Sequence, residues 1–264
     1  MPLQKLKFNP GVDRENTRYA AEGGWYETDK VRFRRGMPQK IGGWVRLSAS
    51  TFLGVCRSML NWVTLQQQNL VSVGTNLKYY IERGGAYFDI TPIRATATLT
   101  NPFTTTLNST TVLVTDIAHG ALQNDFVTFS GASAVGGLTL NGEFQISFVD
   151  ANSYNITAAS QASSGATGGG TVTAAYQVNT GNEIAVPFTG WSAGAWGAGT
   201  WGVGGATLAP IRLWSQANFG EDLFFGYRGG SLFYWDASTG VTTRAVYVTS
   251  LGGASNVPTI VNKT

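Results

Sequence analysis

The strongest constraint on this chain is how often its sequence breaks for a turn. Between residues 57 and 90, short apolar runs alternate with tight-turn signals. Residues 57–65 precede Gln66-Gln67-Gln68-Asn69, residues 70–73 precede Gly74-Thr75-Asn76, residues 77–82 precede Gly84-Gly85, and residues 86–90 close the block. None of these runs reaches three helical turns and each suits a strand, so the block predicts a four-stranded antiparallel meander. A second block of the same kind covers residues 208–248. There Asp222-Leu223-Phe224-Phe225-Gly226 echoes Asn69-Leu70-Val71-Ser72-Val73-Gly74, and Ser231-Leu232-Phe233-Tyr234-Trp235 echoes Asn76-Leu77-Lys78-Tyr79-Tyr80, the mark of an internal repeat.

Four-stranded meanders recurring at about 40–50 residues are the blades of a β-propeller, and closed propellers carry about four to eight. This chain has room for about two. Either it is one piece of a longer or split propeller, or its open sheet edges are covered by other chains, because bare edges invite aggregation. The expected fold is therefore mostly β: propeller-like antiparallel blades in an incomplete ring, with an inserted small β-barrel or sandwich and an extended N-terminal arm. Thirty-four glycines, eight tryptophans and long Thr/Ser/Val tracts agree, since glycine is poor in helices while β-branched and aromatic residues suit sheets.

Charge divides the chain further. Residues 1–46 hold ten Lys/Arg against five Asp/Glu, whereas residues 99–186 hold five Asp/Glu and no Lys or Arg. Four segments follow: a basic arm at 1–51, a first blade at 52–98, an inserted acidic β domain at 99–186, and a Gly/Trp-rich linker with a second blade at 187–264. The arm's cations can meet an acidic partner chain or DNA phosphates, or they can be solvated or paired within an assembly. Its turn signals (Asn9-Pro10-Gly11, Gly23-Gly24, Arg35-Gly36, Gly42-Gly43) leave no room for a three-turn helix, and its aromatics cannot build a core on so short a segment. In the insert, strands are expected at 111–117, 126–129, 153–157 and 171–176. Glu143-Phe144-Gln145-Ile146-Ser147-Phe148 alternates so that Phe144, Ile146 and Phe148 share one buried face, and residues 160–170 read as a loop.

Sites of chemistry are sparse. The N-terminus lacks the apolar stretch of a signal peptide, no later run offers about 18 uninterrupted apolar residues, and a single cysteine, Cys56, excludes an intrachain disulfide. His119, the sole histidine, follows a strand end and has no second histidine to join in a zinc site or triad. Gly197-Ala198-Gly199-Thr200-Trp201-Gly202 matches G-x-G-x-x-G without the flanking strand and helix that a dinucleotide site needs. Trp191, Trp196 and Trp201 recur every five residues, which reads as anchors of a Gly-rich linker at an interface or as stacking platforms for sugars or bases. Glu82, Asp89, Glu221, Asp222 and Asp236 leave a glycosidase pair open, while acids at strand ends and turns are also commonly structural. No enzymatic activity, cofactor or metal is expected. The assembly-interface candidates are Trp25, Arg32, Arg34, Arg35, Trp44, Trp191, Trp196 and Trp201.

Several stretches resemble a known family. They are Gly23-Gly24-Trp25-Tyr26, Lys30-Val31-Arg32-Phe33-Arg34, Pro38-Gln39-Lys40-Ile41-Gly42-Gly43-Trp44, Asn69 to Tyr80, Asp89-Ile90-Thr91-Pro92 and Leu213 to Leu223. Together they are similar to the tail nozzle, or packaged-DNA-stabilising tail proteins, of short-tailed bacteriophages. Residues 105–176, with Val127-Thr128-Phe129-Ser130-Gly131 and Leu138 to Phe144, look like the small β modules inserted in phage tail proteins and compared with the FCCH domain of ubiquitin-activating enzymes. The resemblance implies a virion protein assembled in the host cytoplasm, forming a ring-like homo-oligomer around a DNA channel. Its partners would be copies of itself, neighbouring tail or adaptor proteins and, non-specifically, packaged DNA, with no membrane in the mature particle. Family members are considerably longer, which points to a split or shortened component whose acidic insert projects outward or into the lumen. The alternatives are a receptor- or carbohydrate-binding tail protein and a glycan-cleaving enzyme.

Overall fold

The computed structural model describes residues 8–252 apart from residues 16, 21–22, 44, 47, 181–210, 212 and 228. The chain divides into two units, Met1–Ala49 and Ser50–Thr264. All regular structure among the described residues is β-strand, in five antiparallel sheets, with two single-turn 3₁₀ segments. No helix among them is long and apolar enough to cross a membrane.

The first unit holds one hairpin, β1 (Val31–Arg34) and β2 (Met37–Lys40), and none of its described residues is fully buried.

In the second unit, β3 (Cys56–Val63), β4 (Asn69–Thr75), β5 (Tyr79–Arg83) and β6 (Ala86–Asp89) form a meander in chain order. The β4–β5 turn is set by Thr75, whose hydroxyl accepts from the Leu77 and Lys78 N–H groups (3.1 and 2.8 Å) and donates to Lys78 O (2.9 Å). A threonine hydroxyl that bonds nearby backbone groups in this way favours a turn. At the other end of the chain β16 (Trp214–Phe219), β17 (Asp222–Tyr227), β18 (Leu232–Trp235) and β19 (Val246–Tyr247) form a second meander in chain order. The sequence echoes thus fall on the second strand and on the approach to or body of the third strand of each sheet. The second-strand echo keeps its facing, with Leu70 and Leu223 both buried at 2% and 0% exposure. The third-strand echo is one residue out, so Tyr79 faces the partner sheet while Tyr234 faces away; a one-residue slip in a strand exchanges its faces.

The two meanders pack face to face. Tyr79 stacks on Phe225, with ring centroids 3.9 Å apart and planes at 13°, inside a core that includes Trp62, Leu70, Ile81, Ile90, Leu223, Phe233 and Trp235. Trp214 packs against β4 at Gly74, where a Cβ atom would stand 2.4 Å from the indole Cδ1. Glycine is therefore required for this approach. The indole Nε1 atoms are satisfied across the interface, Trp214 donating to Thr75 O at 2.7 Å and Trp62 to Glu221 O at 2.9 Å.

The insert is a sandwich of two sheets. Its strands are β7 (Ile93–Thr100), β8 (Phe103–Thr105), β9 (Thr111–Thr115), β10 (Phe126–Ser130), β11 (Gly142–Gln145), β12 (Ser147–Asp150), β13 (Ser153–Thr157), β14 (Ala166–Gly168) and β15 (Thr171–Gln177). One sheet has the order β11-β10-β15-β7 and the other β12-β13-β9-β8-β14. Phe103, Val112, Val127, Phe129, Ile156 and Val172 fill the space between. Pairing of β7 with β15 brings Ile93 into the sandwich, ahead of the boundary at 99 read from charge alone. The two ends of the insert meet where Val178 N donates to Pro92 O (3.0 Å), the adjacency expected of a domain inserted at a turn.

Two expectations are corrected here. The run from Glu143 to Phe148 is not one strand: it changes sheets at Ile146, which is 1% exposed, while Phe148 turns outward at 43%. Backbone hydrogen bonds between Ile146 and both Asn124 and Asp125 hold the crossing point. Residues 160–170 are not all loop, because β14 pairs with β8. The small residues make room there: a Cβ on Gly169 would stand 2.5 Å from the Phe103 ring.

A hydrogen-bond chain runs through the sandwich core. The Tyr176 hydroxyl donates to Asp116 Oδ2 (2.5 Å), which leaves its oxygen to accept from Tyr154 (2.8 Å). Burial drives both tyrosine hydroxyls upward in pKa, so they remain neutral donors. Tyr176→Phe should cost about 1–3 kcal/mol, because it strands two buried polar partners, and Tyr154→Phe should cost less because the Tyr176–Asp116 bond survives. Urea midpoints of the full chain at unchanged m-value check the order.

Four charges bind insert and blades together. Lys78, only 2% exposed, pairs with Asp89 (2.7 Å) and with Glu143, and Arg244 of the second blade reaches the same carboxylates at 3.2 and 3.4 Å. Lys78 Nζ also sits 4.4 Å from the centre of the Phe126 ring, and Gln177 donates to Glu143. Burial by itself would raise the Asp89 carboxyl; Lys78, Arg244 and the hydrogen bonds from Lys78 and Thr91 outweigh it and leave the group below its ordinary 3.8.

Candidate functional site: a cationic hairpin

The β1–β2 register places Arg32 opposite Gln39 and Arg34 opposite Met37 on one face, and Val31 opposite Lys40 and Phe33 opposite Pro38 on the other. The connection is Arg35-Gly36, with φ of 53° and 77°, the two positive values of a type I′ turn that matches strand twist. Behind the ribbon, Trp25 packs between Phe8 and Phe33 (5.8 and 6.1 Å between centroids). Arg32, Arg34 and Arg35 are all exposed.

These three guanidinium groups make no ion pair among the described residues, whereas Arg14 and Arg18 share Glu27 at 3.4 and 3.9 Å and lie over the Tyr26 ring. The described residues of this unit include four carboxylates and eight cations. Of the assembly-interface candidates, Arg32, Arg34 and Arg35 lie on the hairpin and Trp25 packs behind it. Trp44, Trp191, Trp196 and Trp201 lie outside the described residues.

The other groups singled out in the sequence have structural duties. His119 Nδ1 accepts from the Ala121 N–H (3.0 Å), and Nε2 lies 2.9 Å from Asp150 O. Glu82 accepts from Gly85 N (2.6 Å), and Glu221 accepts from Leu65 N. Asp222 accepts from Ala237 N (3.0 Å) and from the Tyr234 hydroxyl (2.6 Å), a bond that helps hold that hydroxyl at a pKa of about 12. Hydrogen bonds from the Ser238 side chain and N–H keep Asp236 below the usual carboxylate range. Among the described residues no three His, Cys, Asp or Glu side chains converge as a metal site. A shallow groove on the insert, lined by Asn124, Glu143, Phe144 and Thr157, has Glu143 as its ionisable group, and that carboxylate is committed to Lys78 and Gln177. The four-charge cluster was missed in the sequence. Its signal was a lysine, Lys78, inside the apolar run Leu77-Lys78-Tyr79-Tyr80-Ile81, because a lysine in such a run is buried only when paired.

No family model matches the chain, and no curated protein does. Among solved structures the chain is similar to the endosialidase of phage phi92, at 16% identity and a TM-score of 0.31 over 74% of this chain. The match spans 36% of that protein's length, and at this TM-score it carries nothing to the fold or activity of this chain.

Proposed function

We propose that the chain is a virion structural protein of a bacteriophage tail, of nozzle or tail-tube type, assembling in the host cytoplasm into a ring around the DNA channel and helping to retain and deliver the genome. Its partners are further copies of itself and neighbouring tail or adaptor proteins, and its role is structural rather than enzymatic. The family resemblance of the arm and both blades motivates this reading, and one observation carries it: the outward face of the second blade. There Ala217, Phe224, Tyr234 and Val246 form a cross-strand row, flanked by Phe219 at 73% exposure. Met59 and Val63, 68% and 55% exposed, occupy the outward side of β3. A blade covered on one face only leaves apolar surface and strand edges for other chains to cover.

Light scattering of the purified 28.1 kDa chain across a concentration series is the test. Multiples of the chain mass should grow with concentration, and Phe219→Glu should reduce them. A monodisperse monomer at the highest concentrations would overturn the assembly reading.

A further inference from the structure

We infer that the exposed face of the β1–β2 ribbon, through Arg32, Arg34 and Arg35, is a sequence-independent binding site for the phosphate backbone of duplex DNA. This deepens the proposed tail role by naming the residues that would meet the nucleic acid.

Geometry is the first support. Alternate residues on a strand stand about 6.6 Å apart, and a DNA strand presents a phosphate about every 3.4 Å of axis, so Arg32 and Arg34 span about two phosphates while Arg35 extends the reach at the turn. Each guanidinium offers a planar fork of donors that suits phosphate oxygens.

The makeup of the face is the second. The aromatics Phe8, Trp25 and Phe33 pack on one another behind the ribbon, and Arg32, Arg34, Gln39 and Met37 occupy the outer side, with cations and no carboxylate among them. Such a face is suited to positioning on a polyanion.

Charge bookkeeping within the chain is the third. The Lys/Arg-free insert looks from its sequence like the natural acidic counterpart, yet most of its described carboxylates are used inside the fold. Asp116 takes Tyr176, Asp125 takes Leu122 N and Asn179, Glu143 takes Lys78 and Gln177, and Asp150 takes Asn152 N. Among the described residues of the insert, Asp116 and Asp125 are buried and Glu143 is paired, which leaves Asp150 as the exposed carboxylate rather than an acidic cluster matched to three arginines.

The test is fluorescence anisotropy of a labelled mixed-sequence duplex with the full chain, titrated between about 50 and 200 mM salt. The wild type should bind at the low-salt end, with affinity falling linearly on logarithmic axes. The Arg32→Gln/Arg34→Gln/Arg35→Gln variant should show a slope shallower by about 2.7, three contacts at about 0.9 each. Lys40→Gln, one charge removed from the opposite face, should keep the wild-type slope. All three arginines are exposed, so the variant should keep the wild-type tryptophan fluorescence. No binding by the wild type, equal slopes for wild type and triple variant, or loss of binding to polyglutamate with DNA binding intact would each overturn the site, the last assigning the hairpin to an acidic protein. Light scattering on the same samples separates the two readings. A chain that assembles without binding DNA refutes the site alone, and one that binds DNA as a monomer refutes the assembly role alone.

Discussion

Phe225→Ala should lower the stability of the blade unit by about 3–5 kcal/mol, the range for truncating a fully buried phenylalanine. Phe225 is 0% exposed and its ring meets Tyr79, Trp214 and Phe233 at centroid distances of 3.9, 5.8 and 5.5 Å. Those contacts come from both meanders, so the cavity would open in the interface that lets two small sheets share one core. Domains have a total stability of only about 5–15 kcal/mol, which puts the variant near the edge of folding, and both blades should lose structure in one transition. The neighbouring Phe224→Ala is the informative contrast. Phe224 lies on the outward face, against Phe219 and Tyr234, and is only half-buried, so its loss should cost about 1 kcal/mol in the monomer and act on assembly instead. Urea unfolding followed by tryptophan fluorescence, with light scattering in parallel, measures both. Equal stability losses at the two positions would mean that the faces of β17 have been assigned wrongly.

Local sequence carried the blades well, since a meander needs only strand-length runs and turn residues, and both are written into adjacent positions. Features that depend on distant partners were less legible. Period-two alternation identifies a face but cannot show that a chain leaves one sheet for another, and so Phe148 was placed beside Ile146 although the crossing at Ile146 turns it outward. Charge composition described residues 99–186 as an acidic module, yet Asp116 and Asp125 are buried hydrogen-bond acceptors and Glu143 is a counter-ion for Lys78. A carboxylate count carries no information about which carboxylates are spent inside. The cationic hairpin lay between these cases. Arg32 and Arg34 alternate and Arg35-Gly36 reads as a turn, so the ribbon was recoverable from sequence, but the absence of acids opposite it was not.

Lys78→Met should be the most damaging single change at the junction of blades and insert. Methionine keeps an apolar stem near Phe126 but leaves Asp89 and Glu143 facing each other with Arg244 alone between them. Removing one partner of a fully buried pair costs about 3–5 kcal/mol; here the two carboxylates retain 21% and 30% exposure, so water compensates in part and about 2–3 kcal/mol is expected. The acid limb of the stability profile gives a second signature. Because the folded chain holds the Asp89 carboxyl below 3.8, the folded state binds fewer protons than the unfolded one in that range. The contribution is complete above the unfolded pKa and is lost as pH falls through the folded pKa, so the wild type should weaken progressively below about pH 4. In Lys78→Met the leading favourable charge on Asp89 is gone, the two pKa values converge, and the acid limb should flatten as the neutral-pH stability drops. Pairing Lys78→Met with Asp89→Asn should recover part of the loss, since the unpaired charge goes with its partner. Urea midpoints from pH 3 to 7 for the wild type, the single and the double variant test this, and parallel acid limbs for wild type and Lys78→Met would rule out Lys78 as the group that holds Asp89 ionised.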